Sequence, residues 1–173
     1  MKPLSTTFLI ALSFCAFSCG SGGSDATASA SGGDPLARMT AFVTDFRARP
    51  EHTDNAVRVQ HLLVGFQGSV RGKAIQRTRD EAELLAAELF ARALDGEDFD
   101  ALVREYTDDA HPGIYLMKVE LGPNDRVPDV FPRGQMVAAF GDTGWRLQVG
   151  EIGVATHHPE KSPFGWHIVK RIE

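Results

Sequence analysis

Residues 57–66 read VRVQHLLVGF. Apolar and polar side chains alternate at first, then the run turns wholly apolar, the pattern of a strand buried largely on one face. A period of two sets Val57, Val59, His61 and Leu63 on one side. A histidine in such a row is, by residue type alone, a hydrogen-bonded core residue.

Downstream, residues 67–79 carry Arg71, Lys73, Arg77 and Arg79 with no acidic residue, and Gly68 and Gly72 loosen the chain, so a basic loop is expected. Thr78 and Glu81 have capping-box spacing ahead of an apolar stripe of Ala82, Leu85, Ala86, Leu89 and Ala93, and Gly96 closes that helix. Asp98 caps a second, shorter helix whose Phe99, Leu102, Val103 and Tyr106 recur at helical spacing before Thr107, Asp108, Asp109 and Pro112 end it. Residues 114–119 read as a strand, but Gly122, Pro123, Pro128 and Pro132 predict an irregular excursion up to Arg133. One or two helical turns follow over 135–140, a strand over 151–156, and a closing strand over 164–172 with Phe164, Trp166 and Ile168 on one face and His167 and Val169 on the other. Strand, helices, then strands without repeated strand–helix alternation predict an α+β domain, helices packed over a mainly antiparallel sheet.

Upstream, Asp34 and Pro35 form an N-cap and first-turn pair, and Leu36, Met39, Phe42, Val43 and Phe46 recur at helical spacing until Pro50. This accessory helix over 34–50 packs on the domain that follows or docks a partner. Residues 20–33, GSGGSDATASASGG, hold no large apolar side chain and predict a flexible linker, whose root-mean-square span is roughly 20 Å. The opening MKPLSTTFLIALSFCAFSCGSG has a basic start at Lys2, an apolar run over 6–17 and small residues after it, the pattern of an export signal. That run is shorter than the roughly 20 residues a membrane-spanning helix needs. Ala16, Phe17, Ser18 and Cys19 resemble a bacterial lipobox, whereas Cys15 follows the bulky Phe14. The expected organisation is a signal peptide over 1–18, lipid-attachment Cys19 with its linker to 33, the accessory helix, and a domain over 57–173. The protein is then exported to the bacterial cell envelope and held at a membrane by its lipid.

The 173 residues are 43% hydrophobic and 24% charged, a globular composition that admits one ordinary domain. A net charge of -5 argues against a nucleic-acid partner. Both cysteines precede residue 20, so the rest holds no disulfide, thiolate metal site or cysteine nucleophile. His157 and His158, with His111, lack the spacing of a metal site and read as loop residues; no metal or cofactor is implied.

Taken in order, His61-Leu62-Leu63-Val64, the helix over 82–94, Gly96-Glu97-Asp98-Phe99, Tyr106-Thr107-Asp108-Asp109, Gln135-Met136 to Phe140, Val149-Gly150-Glu151-Ile152-Gly153 and Phe164-Gly165-Trp166-His167-Ile168-Val169-Lys170 resemble the parvulin family of peptidyl-prolyl isomerases. The resemblance implies a four-stranded antiparallel sheet wrapped by helices and a shallow site where an X-Pro bond turns between cis and trans. It implies that His61 and His167 are the family's strand histidines, that Asp109 occupies its Cys or Asp position, that Met136 and Phe140 line the proline pocket, and that Phe164 adjoins it. Four-residue spacing further suggests that Met136 and Phe140 project from one side of a helical turn. The chain departs from the family at 111–116, where a Gly-Gly-x-Leu-Gly segment is usual, and in the excursion beyond it. The expected partners are proline-containing or unfolded polypeptides, met by a monomer. The alternative is a non-catalytic chaperone or peptide-binding module using the same groove.

Overall fold

The computed structural model describes residues 33–125, 128 and 130–173. The expected leader, Cys19 and all of the linker but Gly33 lie outside those residues. The elements follow in the order α1 (Pro35–Arg47), β1 (Ala56–Val64), α2 (Arg79–Leu94), α3 (Phe99–Tyr106), β2 (Ile114–Lys118), β3 (Val130–Pro132), a 3-10 turn (Arg133–Gln135), α4 (Ala138–Arg146), β4 (Ile152–Ala155) and β5 (Trp166–Arg171).

The helix starts are where local chemistry sets them. The Asp34 carboxylate accepts from the Leu36 and Ala37 amides, and Pro35 occupies the first turn, where a missing N–H costs nothing. Thr78 and Glu81 form both halves of a capping box, and Asp98 accepts from the Ala101 amide.

The five strands are ordered β3-β2-β1-β5-β4, with β1 at the centre, antiparallel to both β2 and β5. The α+β class holds, but the expected four antiparallel strands become five. The excursion turns back through Gly122 to Asp125, where Asp125 accepts from the Gly122 amide at 2.7 Å and from Lys118 Nζ at 2.6 Å. The returning chain then lies parallel to β2, pairing Leu116 with Val130 and Lys118 with Pro132. Pairing between residues so far apart leaves no local signal in the sequence.

Two cores flank the sheet. On one face Leu62, Val64, Val154, Trp166 and Ile168 pack against Met39 and Val43 of α1, Ala86, Leu89 and Phe90 of α2, and Phe99, Leu102 and Val103 of α3. Phe42 meets Phe90 edge-on at 4.9 Å, so α1 packs on the domain. On the other face Val57, Val59, Met117 and Val169 lie under Phe140 and Trp145 of α4, with Leu147 and Phe46. Gly144 lets α4 approach closely, since a Cβ there would stand 2.8 Å from Met117 Cε. Trp145 is 1% exposed and donates from Nε1 to the Asp54 carbonyl, while the Arg133 guanidinium lies 4.5 Å from its ring centre.

Candidate active site

His61 and His167 reach the α4 face from neighbouring strands, where Leu63 pairs with His167 and His61 with Val169. The His61 amide donates to the Gly113 carbonyl at 2.9 Å, and Gly113 has φ 64°. A Cβ on Gly113 would lie 2.4 Å from the His61 carbonyl oxygen, so this contact requires glycine.

The imidazoles stack with centres 4.9 Å apart, and His167 Nδ1 lies 2.9 Å from His61 Nε2. Both are buried, at 4% and 3% exposure. Burial holds the His61 pKa down at about 3, far below its ordinary 6.5. Burial, then the neighbouring His61, holds His167 well below the usual range against the opposing pull of Asp109. Two neutral rings share one proton in their hydrogen bond, and Asp109 decides its direction. Asp109 Oδ2 stands 3.7 Å from His61 Nδ1. A proton on that nitrogen faces the carboxylate favourably, whereas a bare lone pair there is repelled. His61 therefore carries its proton on Nδ1, and His167 donates from Nδ1 to His61 Nε2. These hydrogens are assigned from the network.

Asp109 is delivered by its neighbours. Leu63 N–H donates to Thr107 Oγ1 at 3.1 Å and Asp108 N–H to the Leu63 carbonyl at 2.9 Å, fastening the end of α3 to β1. The Asp108 carboxylate accepts from the Gly65 amide and from Arg77, so Arg77 of the basic loop is tied down while Arg71 and Lys73 stand exposed. Asp109 is left facing the histidines, and Tyr115 Oη donates to its Oδ2 at 2.6 Å.

A cavity of about 330 Å³ opens over this floor, walled by Leu63, Val70, Met136, Val137, Phe140 and Phe164, with Gln135 at its side. The six residues singled out from sequence, His61, Asp109, His167, Met136, Phe140 and Phe164, all line it. Two expectations need correction. Met136 and Phe140 do not share a helical turn: Met136 ends the 3-10 turn, Val137 caps α4, and Phe140 alone is helical. Phe164 does not share a strand face with Trp166, because β5 begins at Trp166 and Gly165 (φ 136°) intervenes. Phe164 therefore reaches the cavity while Trp166 enters the opposite core. Tyr115 is a lining residue that pattern reading missed. Its register opposite Val59, on the same side as Met117, is the signal that finds it.

His111, His157 and His158 lie apart from the cavity. His111 Nε2 is 3.0 Å from Asp100, His157 packs on Phe66 and Trp166, and His158 Nδ1 accepts from the Glu160 and Lys161 amides.

Comparison with known proteins follows the same lines. The PPIC-type PPIase domain family matches residues 43–173. The chaperone SurA of Chromohalobacter salexigens is 36% identical over 113 residues, 65% of this chain and 21% of that protein. The foldase protein PrsA 4 of Bacillus cereus is 36% identical over 120 residues, 69% and 32% of the respective chains. The chain thus spans a third or less of the length of these relatives. In fold it is similar to the peptidyl-prolyl isomerase ESS1 from Candida albicans, with TM-score 0.52 and 24% identity over 78% of this chain and 74% of that one. Together with the cavity over its paired histidines, these matches make the chain a member of the PPIC-type, or parvulin, family of peptidyl-prolyl cis-trans isomerases.

Proposed function

We propose that the cavity turns X-Pro bonds of unfolded or folding polypeptides, without covalent chemistry. The observation that carries the reading is a pair of buried, neutral, mutually hydrogen-bonded imidazoles beneath an apolar, proline-sized cavity. Rotation about a prolyl amide faces a barrier of about 18–20 kcal/mol, because resonance gives the C–N bond double-bond character. Resonance also makes the planar amide the more charge-separated form. A cavity that removes water from the carbonyl withdraws solvation from that planar state more than from the twisted one.

Met136, Phe140 and Phe164 grip the pyrrolidine ring, and Leu63 lies beneath it. His61 and His167 hold a rigid floor whose hydrogen-bonding groups are occupied with each other. Neither ring is an acid catalyst near neutral pH, because neither is an imidazolium cation there. Asp109 fixes the direction of their hydrogen bond.

The sequence of the first 33 residues supports export, attachment of lipid at Cys19 and service to clients in a cell envelope, the linker giving the domain reach. Intact mass of the protein recovered from membranes tests this; an unmodified chain starting elsewhere than Cys19 removes it.

Proline-isomerisation assays on a short peptide series test the activity. Measurable acceleration is expected, constant between about pH 6 and 8 because no site histidine titrates there. A folded protein that binds these peptides without accelerating any of them is instead a binding module.

A further inference from the structure

The cavity floor contains one contact that neither the imidazole pair nor the proline walls require. Tyr115 Oη donates to Asp109 Oδ2 at 2.6 Å, and that same oxygen stands 3.7 Å from His61 Nδ1. The longer distance lies outside hydrogen-bonding range. His61 Nδ1 is buried and has no hydrogen-bond partner, although a carboxylate sits roughly an ångström beyond a charge-assisted bond. The oxygen that faces His61 is the one engaged by the short bond from Tyr115.

Tyr115 is itself packed from three sides. Its ring centre lies 5.6 Å from Phe140, 5.7 Å from His61 and 5.2 Å from Phe131. Phe131 belongs to β3, the strand added by the excursion in which this chain departs from the family pattern. The added strand therefore meets the site through Tyr115.

We propose that Tyr115 is a positioning residue: its hydroxyl keeps the Asp109 carboxylate from closing onto His61, and Phe131 of the added strand holds the Tyr115 ring in place for that purpose. The proposal deepens the isomerase reading and rests on it for its effect on rate, though not for its effect on the histidines.

The surroundings of His61 leave few other causes. It faces Tyr115 from β2, His167 from β5, Phe140 from α4 and Asp109 from the loop after α3. Asp109 is the only carboxylate among these groups, since Asp108 is turned to Arg77 and the Gly65 amide. Without the hydroxyl, Asp109 is free to bond His61 Nδ1, and an opposite charge in contact favours the imidazolium. Below its raised midpoint, a cationic His61 then replaces the neutral imidazole pair on which proline twisting depends.

The test is the full chain with ¹⁵N-labelled histidine, followed by NMR of the ring nitrogens through an acid titration, beside kcat/KM over the same range. In Tyr115→Phe, which keeps the ring, the protonation midpoint of His61 is expected to rise by about one to three pH units. The acid limb of kcat/KM is expected to rise with it. Phe131→Ala is expected to shift both in the same direction by less, and Tyr115→Phe combined with Asp109→Asn to return the midpoint toward that of the unaltered protein. An unmoved midpoint in a folded Tyr115→Phe overturns the proposal, as does a rise that survives Asp109→Asn. If the unaltered protein shows no isomerisation at all, the isomerase reading fails, while the titration still decides what Tyr115 does.

Discussion

The two faces of the sheet use the same central strands and end differently. Toward α1, α2 and α3, the side chains of Leu62, Val64, Trp166 and Ile168 meet a continuous cover, and each is at most 3% exposed. Toward α4, a helix of nine residues covers Val57, Val59 and Val169, but over His61 and His167 it lays only Phe140 and leaves a cavity beside that ring. The site is therefore the place where helical cover runs out over strands that are still buried. Burial among apolar and aromatic neighbours keeps the two histidines uncharged, and the incomplete cover leaves a ring-sized hollow above them.

The contrast can be broken by truncation on either side. Phe90→Ala, beneath α1, is expected to cost about 3–5 kcal/mol in urea unfolding, the scale for an aromatic removed from a sealed core. Gly165→Ala at the edge of the cavity is expected to cost about 3 kcal/mol, because the new Cβ would stand 2.1 Å from the Val64 carbonyl at a φ that side chains disfavour. Phe140→Ala should lower kcat/KM at least about tenfold through loss of the pocket wall; an unchanged value removes Phe140 from the proline site.

Smaller effects sharpen the comparison. His61→Leu strands the His167 Nδ1 donor and is expected to cost about 1–3 kcal/mol. Adding His167→Phe removes the stranded partner, so the double variant should lose less than the two single variants summed. The pair also sets an acid limit. Folded His61 takes up its proton only near 3, whereas its ordinary value is 6.5. Between those values the unfolded chain binds the extra proton, so stability is full above 6.5 and falls as the pH drops toward 3. The slope approaches about 1.4 kcal/mol per pH unit for each such histidine. Thermal melts of the double variant between about pH 6.5 and 4.5, above most carboxylate titration, should show that slope flattened. At the bottom of the scale, Leu84→Ala on the exposed side of α2 is expected to stay within about 0.5 kcal/mol.

Features set by residues a few positions apart are legible in the sequence alone. The capping box at Thr78, the Asp98 cap and the alternation through His61 are all of this kind. Features made by pairing across the chain are not. β3 exists because Leu116 meets Val130, and no spacing near either residue announces it. Met136 and Phe140 show the middle case: both line the cavity, but the helical spacing that suggests them does not describe Met136, which precedes the helix. Tyr115 takes its position over the floor from its register opposite Val59, a pairing that its own sequence neighbours do not encode.

Strand β3 has a second consequence, at the rim of the sheet. It is three residues long and ends in Pro132, which has no amide hydrogen to offer, and the opposite rim, β4, is only four residues long. Among the described residues, the two rims offer an extended chain little backbone ladder along which to zip. For the role proposed above, among unfolded polypeptides, such short rims guard against templating aggregation and favour contact through side chains that enter the cavity.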